Sequence, residues 1–176
     1  MEPVVTIHHY TLPQWLAAKG GWENPKIDGY FEHYTARVAE AYGAEVRWWI
    51  TLNEPVVHVF KSYVIGQWPP GKMDYPAAFT ATRHMLRAHV RAYRVIHAAR
   101  PDAMVSVAKH SLALSPCNPR SFKDRLSTRL RSYMFNGLFL DALHTGALRV
   151  PAFSGSGSRR ERRSTSSVST TTRATS

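Results

Sequence analysis

A chain of 176 residues that is 44% hydrophobic and 11% aromatic has room for one domain, or for part of a larger one, and enough apolar surface for a packed core. No apolar run approaches the roughly eighteen residues of a membrane span, "MEPVVTIHHYTLPQ" has neither region of a secretory signal, and a single Cys117 forms no internal disulfide and fits a reducing, cytoplasmic setting. The net charge of +11 is uneven: beyond Ser154 five arginines face Glu161 alone, so five minus one places +4 of the +11 in the last stretch.

The first predicted strand is Val4 to His8, short, apolar and β-branched, as in a parallel sheet buried on both faces. "IDGYFEHYTARVAEAYG" follows with Phe31, Tyr34, Val38 and Tyr42 at helical spacing, Asp28 in the opening turn and Gly43 where a helix C′ glycine belongs. A second strand is expected from Val46 to Leu52. Pro76 then suits the first turn of a helix whose Phe79, Leu86, Tyr93 and Ile96 share one side, closed by Pro101. The third strand is expected from Met104 to Lys109, followed by a stripe of Leu126, Leu130, Met134 and Leu138 that ends near Gly146. From residue 154 the chain reads "SGSGSRRERRSTSSVSTTTRATS", which carries almost no large side chain with which to offset its ordering entropy. The expected division is a folded body over 1–153 and a disordered basic tail over 154–176. The tail interleaves no aromatic that could stack a base, which argues against a nucleic-acid partner.

The alternation β-α-β-α-β-α is that of an α/β protein with right-handed crossovers. Either an open doubly wound sheet or a section of a (β/α)8 barrel satisfies it. No Gly-rich phosphate loop follows any strand, which weakens the nucleotide-binding version. In a barrel the chemistry sits at the C-terminal strand ends, here His8 and His9, Asn53 and Glu54, Lys109 and His110. Glu54 follows an apolar strand with Trp48 and Trp49 near in sequence, so lost hydration would raise its pKa and suit a general acid. Pro55 keeps Glu54 from helical geometry, and Asn53 offers the donor and acceptor that a hydroxyl needs. Asn-Glu-Pro is equally the opening of a surface loop. His8 and His9 point to opposite faces of a strand, which disfavours a shared metal ion and leaves one of them to face the cleft. Trp15, Trp22 and Trp68 could each stack on a sugar or cover the core. No cofactor is called for.

"VTIHHYTLPQWLAAKGGWENP" at 5–25, "RWWITLNEP" at 47–55, "GQWPPG" at 66–71 and "FLDALHTGALRVP" at 139–151 together resemble glycoside hydrolase family 1, the retaining β-glucosidases and β-galactosidases. The resemblance implies a partial TIM barrel, with the three strands as the third to fifth of eight. It implies that Glu54 is the acid/base carboxylate, that Asn53 binds the sugar 2-hydroxyl and that His9 contacts the glycone, with Tyr10 where the family often has Trp. It implies a small β-glycoside as substrate, with no membrane partner. The family nucleophile, in a Glu-Asn-Gly context, has no counterpart in this sequence, and the family pattern stops after Pro151. The isolated chain is therefore expected to be inactive or nearly so, and to self-associate through exposed barrel edges. The alternative is a catalytically dead carbohydrate-binding remnant.

Overall fold

A computed structural model describes residues 1–149, so the expected tail and the boundary at 153 lie outside the described residues. Three strands, β1 (Val4–His8), β2 (Trp48–Asn53) and β3 (Met104–Ala108), form one parallel sheet in the order β1-β2-β3. Val4 pairs with Trp48, and Trp48 pairs with Met104. Each crossover steps to the next strand in the same direction, as successive βα units of a barrel do, with no reversal of strand order. Among the described residues the architecture is thus a three-stranded α/β piece.

The strands lie close to their expected bounds. β2 runs on to Asn53 and β3 stops at Ala108, so Asn53 is the last strand residue and Glu54 the first beyond it. The β2–β3 register shifts between Ile50 and Asn53, a bulge that turns the end of β2 just before the two polar residues.

The helices are α1 (Gln14–Ala18), α2 (Ile27–Tyr42), α3 (Pro55–Val59, running on as a π turn over Phe60–Val64), α4 (Tyr75–Ala99), α5 (Phe122–Ser132) and α6 (Leu138–Thr145). Helix α2 packs along α4, but not on the stripe expected from its large residues. Its buried side is Ile27, Asp28, Phe31, Thr35 and Ala39, whereas Tyr34 and Tyr42 are exposed. The matching side of α4 is Ala77, Ala78, Ala81, Met85, Ala88, Ala92 and Ile96, with Tyr93 exposed. Small residues let two helix backbones approach, so alanine and threonine make much of the seam and the tyrosines Tyr34, Tyr42 and Tyr93 lie at its rim. Asp28 is buried in this seam, its Oδ2 2.7 Å from Arg87 Nη2 and 3.3 Å from Arg91 Nε. The alignment is that of an ion pair, without a hydrogen bond to Oδ2.

Gly43 does not take the left-handed C′ conformation expected of it; its φ is −60°. The carbonyls of Gly43 and Ala44 instead accept from Arg100 Nη1 at 3.2 Å each, so a guanidinium from the end of α4 caps the end of α2. Gly146, at φ 70°, does close α6 in that way. The stripe expected through Leu126, Leu130, Met134 and Leu138 is broken by a π turn over Tyr133–Gly137 that resets the helical phase. As a result α5 has no buried residue and leaves Leu126 and Leu130 exposed, while Leu138, Phe139 and Ala142 of α6 are buried.

The core lies between the sheet and the α2–α4 pair. Trp22, Trp49, Tyr63, Phe139, Ile27, Leu52, Met85 and Ile96 are among its most deeply buried large side chains. No described helix is long and apolar enough to cross a membrane.

Candidate active site

The C-terminal ends of the three strands converge on one mouth. Leaving β2, the Glu54 N–H donates to Ala108 O at the end of β3 (2.8 Å), so the two strand ends are tied at the residue of interest. Glu54 itself adopts φ 42° and ψ 57°, a left-handed conformation. Pro55 bars the right-handed helical region for the residue before it and then serves as the first residue of α3. A left-handed non-glycine residue costs about 1–2 kcal/mol, held here by the sheet on one side and the helix on the other.

The second left-handed non-glycine residue is Tyr10, at φ 70°, just past β1. Its hydroxyl donates to Glu54 Oε2. The two strained residues therefore meet across the gap between adjacent strand ends. The other carboxylate oxygen, Oε1, lies 3.6 Å from His110 Nδ1, beyond β3, with both side chains partly exposed. So close to water, this contact adds little energy but marks where β3 contributes to the mouth.

An aromatic wall backs Tyr10. Its ring is stacked on His58 of α3, with centroids 6.1 Å apart and planes at 8°, and lies 4.8 Å from Trp68. Trp68 is positioned by its loop: the N–H groups of Gln67 and Trp68 both donate to Lys61 O, and the Asp74 N–H donates to Tyr63 O. The Tyr10 phenol is pushed up to about 12, chiefly by burial and then by the Glu54 hydrogen bond and charge, with Asn53 pulling the other way. The proton therefore stays on the tyrosine oxygen across the ordinary pH range.

His8 and His9 part company, as alternation along a strand requires. His8 is buried edge-on against Trp22 and Phe31, 5.8 Å from the His58 ring. Burial first, and then the neighbouring His58, bring its pKa down to about 3. Burial likewise lowers His58 to about 4. Both are neutral members of the wall under the mouth. His9 is exposed, its ring 5.0 Å from Tyr10, and is the one that faces outward at the strand end. Among the described residues no group of three His, Cys, Asp or Glu side chains is arranged to hold a metal ion.

One expectation changes. Trp48 and Trp49 do not dry the Glu54 carboxylate. They stand at the start of β2, about 17 Å along the strand, where Trp49 bonds Val46 O and Trp48 bonds Glu2. The Glu54 side chain is 31% exposed. Among the tryptophans left open by sequence, Trp22 is core, Trp15 covers Tyr30 on the surface, and only Trp68 reaches the mouth. Lys109, whose ammonium turns to His110 O and the Ser111 hydroxyl, lines the rim. The Tyr10–Glu54 contact joins residues 44 apart and His58 reaches the site only through its stack on Tyr10, so no local spacing in the sequence signals either.

The model of glycosyl hydrolase family 1 matches residues 1–168. Beta-glucosidase A of Thermotoga maritima is 33% identical over 146 residues, spanning 83% of this chain and 33% of that protein. A beta-galactosidase of Pyrococcus woesei is 30% identical over 171 residues, spanning 84% of this chain and 34% of its own length. The beta-glucosidase from Thermotoga maritima solved in complex with glucoimidazole superposes with a TM-score of 0.79 at 34% identity, over 85% of this chain and 34% of that one. The chain spans about a third of the length of these relatives.

Proposed function

The chain belongs to glycosyl hydrolase family 1, and from that membership we propose that it carries the acid/base portion of a retaining β-glycosidase active site. Its three βα units are then the third to fifth of a (β/α)8 barrel, and its substrate is a small β-linked glycoside of the β-glucosidase type. Glu54 is the general acid that protonates the departing glycosidic oxygen and the base that afterwards activates water. Asn53, the last residue of β2, holds the sugar 2-hydroxyl, and His9 contacts the glycone.

One observation supports this reading most: Glu54 leaves β2 in a strained left-handed conformation that turns its carboxylate into a mouth shared with Tyr10 and His110. Strain of this kind collects where geometry serves a site. A loop that merely ended a strand would relax it.

A retaining mechanism needs a second carboxyl group about 5–5.5 Å from the first. Among the described residues no second carboxylate stands at the C-terminal end of a strand. We therefore infer that the nucleophile lies outside these residues and that the 176-residue chain alone hydrolyses an aryl β-glucoside at or barely above background. The parent activity is testable in a chimera in which residues 1–149 replace the matching third of Thermotoga maritima beta-glucosidase A. The chimera is expected to hydrolyse an alkyl β-glucoside, whose leaving group needs a proton, and Glu54→Gln to cost about 10²–10⁴-fold. A folded chimera that turns over equally with and without Glu54→Gln removes the acid/base assignment. Brisk turnover by the isolated chain removes the inference of a missing nucleophile.

A further inference from the structure

The two oxygens of the Glu54 carboxylate face different groups. Oε2 accepts from the Tyr10 hydroxyl, and Oε1 faces His110 Nδ1 at 3.6 Å. A carboxylic acid carries its proton on one oxygen only. The oxygen that already accepts from a phenol is the better carbonyl-type acceptor, which leaves the proton to the other. We propose that Tyr10 is a positioning residue that occupies Oε2 of Glu54 and so assigns Oε1, on the His110 side, as the oxygen that carries and delivers the proton.

This deepens the acid/base reading of Glu54 and rests on it. In the forward step the Oε1–H bond breaks as the proton passes to the departing oxygen, and the Tyr10 hydrogen bond stabilises the carboxylate left behind. In the return step a water molecule gives a proton back to Oε1, and its hydroxide part goes to the sugar. Tyr10 keeps its own proton throughout and is not consumed.

The geometry favours a fixed donor. Tyr10 is stacked on His58, packed on Trp68 and held at φ 70° by the turn after β1, so the ring has little freedom to swing away from Oε2. The titratable groups that face this pair come from each neighbouring element: His9 beside Tyr10 after β1, His58 from α3, and His110 with Lys109 after β3. His58, lowered to about 4 by burial, is neutral above that pH and does not compete for the carboxylate's charge. With the Tyr10 phenol pushed up to about 12, it keeps its proton at working pH and has it available to donate to Oε2.

The test uses the full 176-residue chain labelled with ¹³C at the Glu Cδ and Tyr Cζ carbons, Glu54 and Tyr10 being assigned from their own substitutions. Tyr10→Phe keeps the stacked ring and deletes only the donor. The Glu54 Cδ resonance is expected to shift, because the donor on Oε2 is gone, and to shift less in His110→Asn, that contact being longer and partly solvated. A Glu54 Cδ resonance unmoved by Tyr10→Phe overturns the proposal. Should Tyr10→Phe fail to fold, the reciprocal measurement decides: Glu54→Gln is expected to lower the Tyr10 midpoint from about 12 toward the ordinary tyrosine range. An unmoved Tyr10 midpoint overturns the proposal as well. A shifted Glu54 resonance or Tyr10 midpoint together with a chimera indifferent to Glu54→Gln overturns the acid/base reading itself, so the two failures are distinguishable.

Discussion

The half of the molecule built on β1, β2 and the α2–α4 pair differs from the half built on β3 and α5. In the first, Trp22, Trp49, Leu52, Met85 and Ile96 are removed from water, and a carboxylate is buried beside two arginines. In the second, β3 has no buried residue, and α5 exposes Phe122, Leu126 and Leu130. The candidate site straddles this seam. Glu54 and Tyr10 project from the packed half, and His110 from the thin one. The Glu54 carboxylate is thus held firmly by two strands while the wall on its β3 side is only lightly fastened.

The sharpest break of that contrast comes from truncating one large side chain on each side. Trp49→Ala, removing a ring that is 1% exposed, is expected to cost about 3–5 kcal/mol in urea unfolding. Leu126→Ala, at 54% exposed, is expected to change stability by no more than about 0.5 kcal/mol. Similar costs at both positions would mean that α5 is covered in solution, as self-association through this face would require.

Acid acts on the packed half next. His8 and His58 have folded pKa values near 3 and 4, below the ordinary 6.5, so the unfolded chain binds their protons first. Their contribution is fully present above about pH 6.5 and is lost as pH falls toward 4, with a slope of up to about 2.7 kcal/mol per pH unit for two protons. Chemical denaturation at stepped pH is expected to show this loss, and His58→Phe to make it shallower. A flat profile between pH 6.5 and 4 would mean that neither imidazole is held neutral in the fold.

A smaller effect is expected at the helix seam. Asp28→Ala leaves Arg87 and Arg91 without their shared buried partner, and about 1–3 kcal/mol is expected by thermal unfolding, moderated because both arginines reach water. The least is expected at the surface: Arg37→Ala breaks a pair whose side chains are 70% and 72% exposed, and the melting temperature should not move measurably.

The three strands were legible because β-branched apolar runs between turn residues leave few alternatives. The exit of β2 at Asn53 and Glu54 was legible for the same reason. The buried faces of α2 and α4 were legible only at Phe31 and Ile96, because most of the seam is Ala, Thr and Asp, which give no strong apolar period. The desolvation expected from Trp48 and Trp49 failed because neighbours along a strand lie far from its end, and adjacent residues face opposite ways. The contacts that define the mouth, Tyr10 with Glu54, His58 with Tyr10 and Trp68 with Tyr10, join separate units and leave no local spacing to find.

Proton donation by Glu54 is tested most directly by leaving-group dependence in the chimera carrying residues 1–149. An alkyl β-glucoside cannot expel its alkoxide without a proton, whereas a dinitrophenyl β-glucoside can. Glu54→Gln is predicted to slow glycosidic cleavage of the first by orders of magnitude and to leave that of the second nearly unchanged. Equal losses on the two substrates would contradict the assignment.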